Sequence, residues 1–164
     1  FFFPQIISFK VLLSEILPGI KNVLKETIHM TTEFTDAEAT LEVDLLQIRT
    51  AVLAVVNNTN EAMADEGTLH LRSTLLSAPH LPEDLADDLK PGNYACIEIQ
   101  DSGAGMDADT LRRLFEPFFS TKFEGRGLSM AAVSGIVKSH HGGITASSTP
   151  ELGTTVAIFL PTRP

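Results

Sequence analysis

The chain has 164 residues and a formal charge of −9, with 43% hydrophobic and 20% charged residues. That length supports one domain with a full core, and the balance excludes wholesale disorder. The acidity argues against a dedicated nucleic-acid binder, which needs a basic patch for phosphate backbones, but leaves a nucleotide ligand open, because backbone N–H groups and a metal neutralise phosphates locally. The single cysteine, Cys96, excludes an intrachain disulfide and a cysteine zinc cluster and fits a reducing compartment. Lys10, Glu15 and Lys21 interrupt the most apolar stretch, so no run is long enough to cross a bilayer. The opening Phe1-Phe2-Phe3-Pro4 has no basic region before it, which is unlike a signal peptide, and reads as a boundary inside a longer protein.

Val11, Leu12, Ile16, Ile20 and Leu24 predict a helix over 10–25 despite Pro18. Residues 27–34 follow as a strand, then a short loop rich in Ala, Thr and Glu. Asp44 is placed to cap a helix running to about Met63. Over 67–75, Leu69, Leu71 and Leu75 alternate with His70, Arg72 and Thr74, the pattern of a half-buried strand. Residues 79–92, with Pro79, Pro82 and a run of acids, read as a surface loop with a helical turn. Tyr94 to Gln100 is a strand, followed by a glycine-rich turn, a short helix near 108–114 and a second glycine-rich loop ending at Gly127. A helix over 128–140 stops at Gly142-Gly143. Two last strands, near 144–148 and 154–160, are joined through Pro150 and Gly153. Strands and helices mix without regular alternation, which predicts an α/β two-layer sandwich and not a doubly wound sheet.

Four short segments carry candidate chemistry. In the helix to Met63, Ile48, Val52, Val55, Thr59 and Ala62 share a face. Asn58 lies on its flank and Asn57 points away. An amide oxygen at that flank suits a hard cation such as Mg²⁺, although a lone Asn is more often plain surface. Asp101-Ser102-Gly103-Ala104-Gly105 follows a strand. Its carboxylate can accept a hydrogen bond from an exocyclic amine such as that of adenine, and its glycines let backbone approach a flat ring; an ordinary Asp-Gly turn explains it equally well. A dinucleotide fingerprint fits worse, because the third glycine is missing and the acid comes first.

The third segment is Phe115-Glu116-Pro117-Phe118-Phe119-Ser120-Thr121-Lys122, followed by Gly125-Arg126-Gly127-Leu128. Aromatics beside Pro117 can anchor a lid, with Gly125 and Gly127 as its hinge. The helix beginning near Leu128 offers free N–H groups to phosphates, and Lys122 and Arg126 add charge. A packed aromatic cluster before a loop is the simpler explanation for Phe115 and Phe118. No GxxxxGK[ST] stretch exists, which excludes a P-loop enzyme. The fourth is Gly153-Thr154-Thr155, where a Thr hydroxyl entering a sheet can bind a water beside a base; strand propensity alone also accounts for it.

In this order the four segments resemble the GHKL ATPase superfamily, and within it the sensor histidine kinases of two-component systems. The resemblance runs from about residue 8 to residue 161. Val55 to Met63 is similar to the asparagine box, Asp101 to Gly105 to the first glycine box, Phe115 to Lys122 to the phenylalanine box, Gly125 to Leu128 to the second glycine box, and Gly153 to Thr155 to the last. It implies a Bergerat fold: a mixed, mostly antiparallel sheet with helices packed on one face and ATP under a lid. It implies Asn58 as the Mg²⁺ ligand, Asp101 on the adenine amine with Thr154 acting through water, and Gly103 and Gly105 shaping the adenine pocket. Gly125, Gly127 and Leu128 would frame the phosphates. Residues 1–9 would be a linker from a preceding helical dimerisation region, and 10–164 the catalytic domain.

The implied reaction transfers the ATP γ-phosphoryl group to a histidine on a separate helical hairpin of the same protein, with catalysis mostly by positioning. The implied partners are that hairpin and a response-regulator receiver domain, in the cytoplasm, with no nucleic acid and no membrane contact by these residues. Three departures stand out, one being that Thr59 and Asn60 replace residues that are small or apolar in the family. Ala54 occupies the place, one turn before Asn58, where the family has Asn or, in ATP-hydrolysing relatives, Glu. Ser129-Met130 replaces the usual Gly-Leu, and a side chain at 129 would stiffen the lid or crowd the phosphates. None of His29, His70, His80, His140 and His141 has the His-acid setting of a phosphoacceptor. The rival readings are a degenerate kinase domain serving as a nucleotide-binding or scaffolding module, and an ATP-driven clamp, for which Ala54 supplies no water-activating carboxylate.

Overall fold

The computed structural model describes residues 2–77, 80–86, 88–116 and 129–164. In chain order the elements are β1 (Gln5–Ser8), α1 (Phe9–Val23), β2 (Ile28–Glu33), β3 (Thr40–Val43), α2 (Leu45–Ala62) and β4 (Gly67–Ser77). There follow α3 (Glu83–Ala86), β5 (Asn93–Asp101), α4 (Ala108–Arg112), α5 (Met130–Ser139), β6 (Gly143–Thr149) and β7 (Gly153–Pro161). The main sheet has the order β2-β4-β5-β7-β6, with β2 parallel to β4 and every other neighbour antiparallel. The expected mixed, mostly antiparallel two-layer sandwich is therefore the fold.

Helix α1 starts at Ser8, whose side chain accepts the Val11 N–H at 3.1 Å, and buries Phe9, Leu12, Leu13, Ile16 and Ile20 on one stripe. Pro18 sits on its exposed side. Helix α2 starts where expected: Asp44 Oδ1 accepts the Gln47 N–H at 3.1 Å. Its stripe of Ile48, Val52, Val55 and Thr59 is buried. The other end of α2 is tied to the exit of α1. Asn60 Nδ2 donates to the Val23 carbonyl at 2.7 Å, and Asn60 Oδ1 accepts the Lys25 N–H at 3.2 Å. Lys25 Nζ donates to the Met63 and Ala64 carbonyls at 3.0 and 3.1 Å, answering acceptors a helix C-terminus leaves open. The core fills the space between these two helices, α5 and one face of the sheet.

Two strands lie outside the sequence expectation. β3 occupies a stretch expected as loop, and β1, within the expected linker, pairs antiparallel with it. Leu41 and Val43 are buried while Thr40 and Glu42 are exposed, so β3 does alternate, but over four residues only. Part of the sheet's other face is covered as well. Leu81, Tyr94, Cys96, Ala157 and Phe159 form a small second cluster under Leu85 and Leu89, beside the short α3. Burial pushes the Cys96 thiol up to about 12, so it offers no reactive thiolate at neutral pH. Among the described residues no helix is long and apolar enough to cross a membrane.

Candidate functional site

Strand β5 delivers Asp101 to the junction of β7 and the last turns of α2. Its side chain is buried, with 7% exposure for the residue. Oδ1 accepts two backbone N–H groups, from Gly103 at 2.9 Å and Thr154 at 3.1 Å. Oδ2 accepts one long hydrogen bond, from the Thr59 hydroxyl at 3.4 Å. A carboxylate oxygen has two acceptor positions, so Oδ1 is filled and Oδ2 keeps room for one more donor.

The turn after Asp101 is laced to its surroundings through backbone. Ala104 N–H donates to the Ala62 carbonyl at 3.3 Å, and the Ala104 carbonyl accepts the Glu151 N–H at 2.6 Å. Gly105 has φ +71°, and a Cβ there would collide with the Thr149 carbonyl. Gly153 has φ +113° and passes so close to the Asp101 carbonyl that a Cβ would not fit. At Gly103 a Cβ would stand 2.9 Å from the Ala62 carbonyl oxygen. The chain's own backbone thus already demands these glycines. Ser148 completes the arrangement: its Oγ accepts the Met106 N–H at 2.7 Å, donates to the Gly153 carbonyl at 3.0 Å and shares a hydrogen bond with Thr154 Oγ1 at 2.8 Å.

Asn58 is half-buried on α2, next to Thr59 and one turn before Ala62, so it belongs to the same end of the molecule as Asp101. Asn57 is exposed, as its helical phase requires. Ala54, one turn earlier, is buried and offers only a methyl group. Among the described residues no group of three His, Cys, Asp or Glu side chains is placed to hold a metal. A hard cation held by Asn58 would complete its shell with water and ligand oxygens.

The structure therefore brings Asp101, Gly103, Gly105 and Thr154 together, with Asn58 on the helical turn that carries Thr59. Lys122, Gly125, Arg126, Gly127 and Leu128, with Phe118, lie outside the described residues. Phe115 is half-buried against the core, as its spacing suggested. Ser129, expected to stiffen or crowd the lid, caps α5: its Oγ accepts the Ala132 N–H at 3.1 Å. Sequence reasoning missed the hydroxyls of Thr59 and Ser148. A Thr on an otherwise apolar helix stripe was the available signal for the first; nothing in the short β6 pattern marks the second.

His140 is buried and unsuited to accept a phosphoryl group. Its Nε2 accepts the Asp44 N–H at 3.0 Å, and its Nδ1 lies 2.8 Å from the Ile136 carbonyl, which assigns the proton to Nδ1 and leaves neither nitrogen spare. His70 Nδ1 bonds Thr31 Oγ1 at 2.6 Å, on the outer face of the sheet. An open groove of about 620 Å³ lies at the far end of the sheet, near Leu75, Ser77 and Arg163, and contains none of the site residues.

Residues 43–164 match the model of the histidine kinase-, DNA gyrase B- and HSP90-like ATPase family. The chain belongs to this family. Curated relatives of the chain within this ATPase family include sensor kinases. It is 29% identical over 160 residues to the sensor kinase CckA of Brucella abortus (strain 2308), covering 96% of this chain but 17% of that protein. Two solved structures agree in fold. The nucleotide-free catalytic domain of the histidine kinase ThkA superposes with TM-score 0.76 at 19% identity, covering 97% of this chain and 95% of that one. Full-length ShkA in complex with AMPPNP gives 0.77 at 18% identity, covering 99% of this chain and 32% of that one.

Proposed function

We propose that this chain binds Mg-ATP at Asp101 and Asn58 and presents the γ-phosphoryl group to a histidine outside residues 1–164. The observation that carries this reading is the buried Asp101 carboxylate, with Oδ1 filled by two backbone amides and Oδ2 open to one further donor. That is the acceptor a 6-amino purine needs. Thr154, whose N–H holds Asp101, would complete the base contact through water. Asn58 would hold the cation; when bound, Mg²⁺ neutralises charge on the phosphates. Lys122, Gly125, Arg126, Gly127 and Leu128 are assigned to the phosphates on sequence grounds.

On this reading the domain itself supplies no nucleophile. The attacking atom is a nitrogen of the accepting histidine, its bond to the γ-phosphorus forms as the bridging P–O bond breaks, and ADP leaves. The domain contributes position and charge. On this reading residues 1–9 lead in from a helical dimerisation region that carries the histidine, a receiver domain takes the phosphoryl group next, and the setting is cytoplasmic. Ala54 favours a second reading, nucleotide binding without turnover, because a methyl group can neither orient a nucleophile nor accept a proton.

Two measurements test this. Calorimetry of the chain with ATP and Mg²⁺ is expected to give binding that Asp101→Asn weakens at least about tenfold, the scale of a charge-assisted hydrogen bond. Equal affinities would remove the adenine assignment. A longer chain carrying the helical hairpin, incubated with γ-labelled ATP, is expected to be labelled on histidine; binding without label would favour the second reading.

A further inference from the structure

We propose that the Thr59 hydroxyl is a specificity-determining positioning residue, which aims the open oxygen of Asp101 so that the pocket takes a purine carrying a 6-amino group. This rests on the adenine reading of Asp101. Thr59 faces the core from α2 with 4% exposure, on a stripe whose other members, Ile48, Val52 and Val55, are apolar. A buried hydroxyl in such a stripe costs free energy unless it finds a partner. Its partner is Asp101 Oδ2, contributed by a strand 42 residues away in sequence.

The geometry separates two jobs within one carboxylate. Oδ1 is anchored by the N–H groups of Gly103, in the turn after β5, and Thr154, at the start of β7. Those two bonds locate one oxygen and leave the carboxylate free to pivot about it. The Thr59 bond removes that pivot. It also takes one acceptor position of Oδ2 and leaves one, so a single donor direction remains. A 6-amino group fits that direction. A purine with hydrogen at C6 gains nothing from it, and one with a 6-oxo group meets acceptor against acceptor. Thr59 adjoins Asn58 in sequence, so the same helical turn would set the base and the cation in register.

The test is a comparison of two nucleotides on four variants of the full chain. ATP is set against purine riboside triphosphate, which lacks the 6-amino group, each titrated with Mg²⁺ by calorimetry. Thr59→Val keeps the side chain's shape and removes the hydroxyl; Thr59→Ser keeps the hydroxyl. Melting curves without nucleotide confirm that each variant is folded. Thr59→Val is expected to weaken ATP about fivefold and to leave purine riboside triphosphate within about 1.5-fold, on the scale of one modest hydrogen bond. Thr59→Ser should retain ATP within about twofold. In an Asp101→Asn background, adding Thr59→Val should change nothing further, because the two residues act as one unit. Equal weakening of both nucleotides by Thr59→Val would make Thr59 a packing residue and overturn the inference, as would unchanged or tighter ATP binding. If Asp101→Asn weakens ATP but Thr59→Val does not, only the role of Thr59 falls. If Asp101→Asn itself leaves ATP binding intact, the adenine reading falls with it.

Discussion

Helix α2 has a buried aspartate at each end, and the two are used differently. Asp44, 6% exposed, caps its N-terminus; Asp101, 7% exposed, meets its C-terminal turns. Asp44 spends Oδ1 on the Gln47 N–H and Oδ2 on the Phe3 N–H at 2.9 Å, while its own N–H is taken by His140. Asp101 places both backbone donors on Oδ1 and keeps Oδ2 for one long bond. Burial is the same in both, so burial does not separate a structural acid from a binding one. The placing of the donors does: the Asp44 carboxylate ties the N-terminal segment to the first turn of α2 with one backbone donor on each oxygen, whereas Asp101 gathers its backbone donors on Oδ1 and turns Oδ2 toward a side-chain hydroxyl.

The largest expected effect tests whether the Asp101 end depends on its backbone. Gly153→Ala forces a side chain into φ +113° and against the Asp101 carbonyl. A destabilisation of about 3 kcal/mol is expected, the scale of backbone strain plus steric displacement, lowering Tm by about 10 °C. Nucleotide affinity should fall with it, because the Thr154 N–H moves. A melting temperature within about 2 °C of the parent would mean that the turn relaxes freely and that Asp101 is not held by it.

The next effect exchanges the two acids. Asp101→Asn should leave thermal stability nearly unchanged, because an amide oxygen still accepts from Gly103 and Thr154. Asp44→Ala should lower Tm, since the Phe3 and Gln47 N–H groups lose their acceptor, yet leave ATP affinity within about twofold, on the scale of a change that touches no ligand contact. Calorimetry and melting curves on the same two samples decide this. A large loss of stability from Asp101→Asn, or of affinity from Asp44→Ala, would erase the division of labour.

A pH series sharpens the same contrast. The Phe3 N–H holds the Asp44 carboxyl below its ordinary 3.8; burial opposes it and the Gln47 N–H reinforces it. With the folded value depressed, the folded chain binds fewer protons than the unfolded one in acid. The resulting stability is fully present above the unfolded pKa and is lost as pH falls through the folded one. Asp107, held low mainly by the Thr110 N–H in the cap of α4, acts in the same direction. Melting curves between pH 5 and pH 2.5, as an order-of-magnitude window around these groups, should show a smaller acid loss for Asp44→Asn than for the parent. Identical slopes would mean that Asp44 does not hold the N-terminal segment in solution.

Much of this was legible in the residue order, for definite reasons. Asp44 was readable as a cap because an acid directly before a long periodic stripe has few other uses. Asn58 and Asp101 were singled out only through the order of the four segments, since each is a weak signal when taken alone. β1 and β3 were not, because four residues supply too few alternations to distinguish strand from loop, and their stability comes from pairing with each other. Thr59 was placed on the buried face by its phase, but its partner lies on another element. Periodicity reports which face a residue occupies and not what its hydroxyl meets.

The smallest expected effect falls on the third cap, Ser129, at the position where the resemblance led to an expectation of glycine. Its Oγ is engaged with the Ala132 N–H at 3.1 Å, inside its own helix, much as Asp44 is engaged at the start of α2. A side chain turned back on its helix does not project toward phosphates. Ser129→Gly should therefore cost a few tenths of a kcal/mol and Ser129→Ala about 1 kcal/mol, the difference reflecting how well each residue tolerates the cap position. Neither should change ATP affinity by more than about twofold, the range expected where no ligand contact is altered. A clear gain in affinity from Ser129→Gly would place the hydroxyl in the path of the phosphates. The α5 cap would then belong with Asp101, among the groups that meet the ligand, and the purely structural use of the Asp44 cap would not extend to this helix.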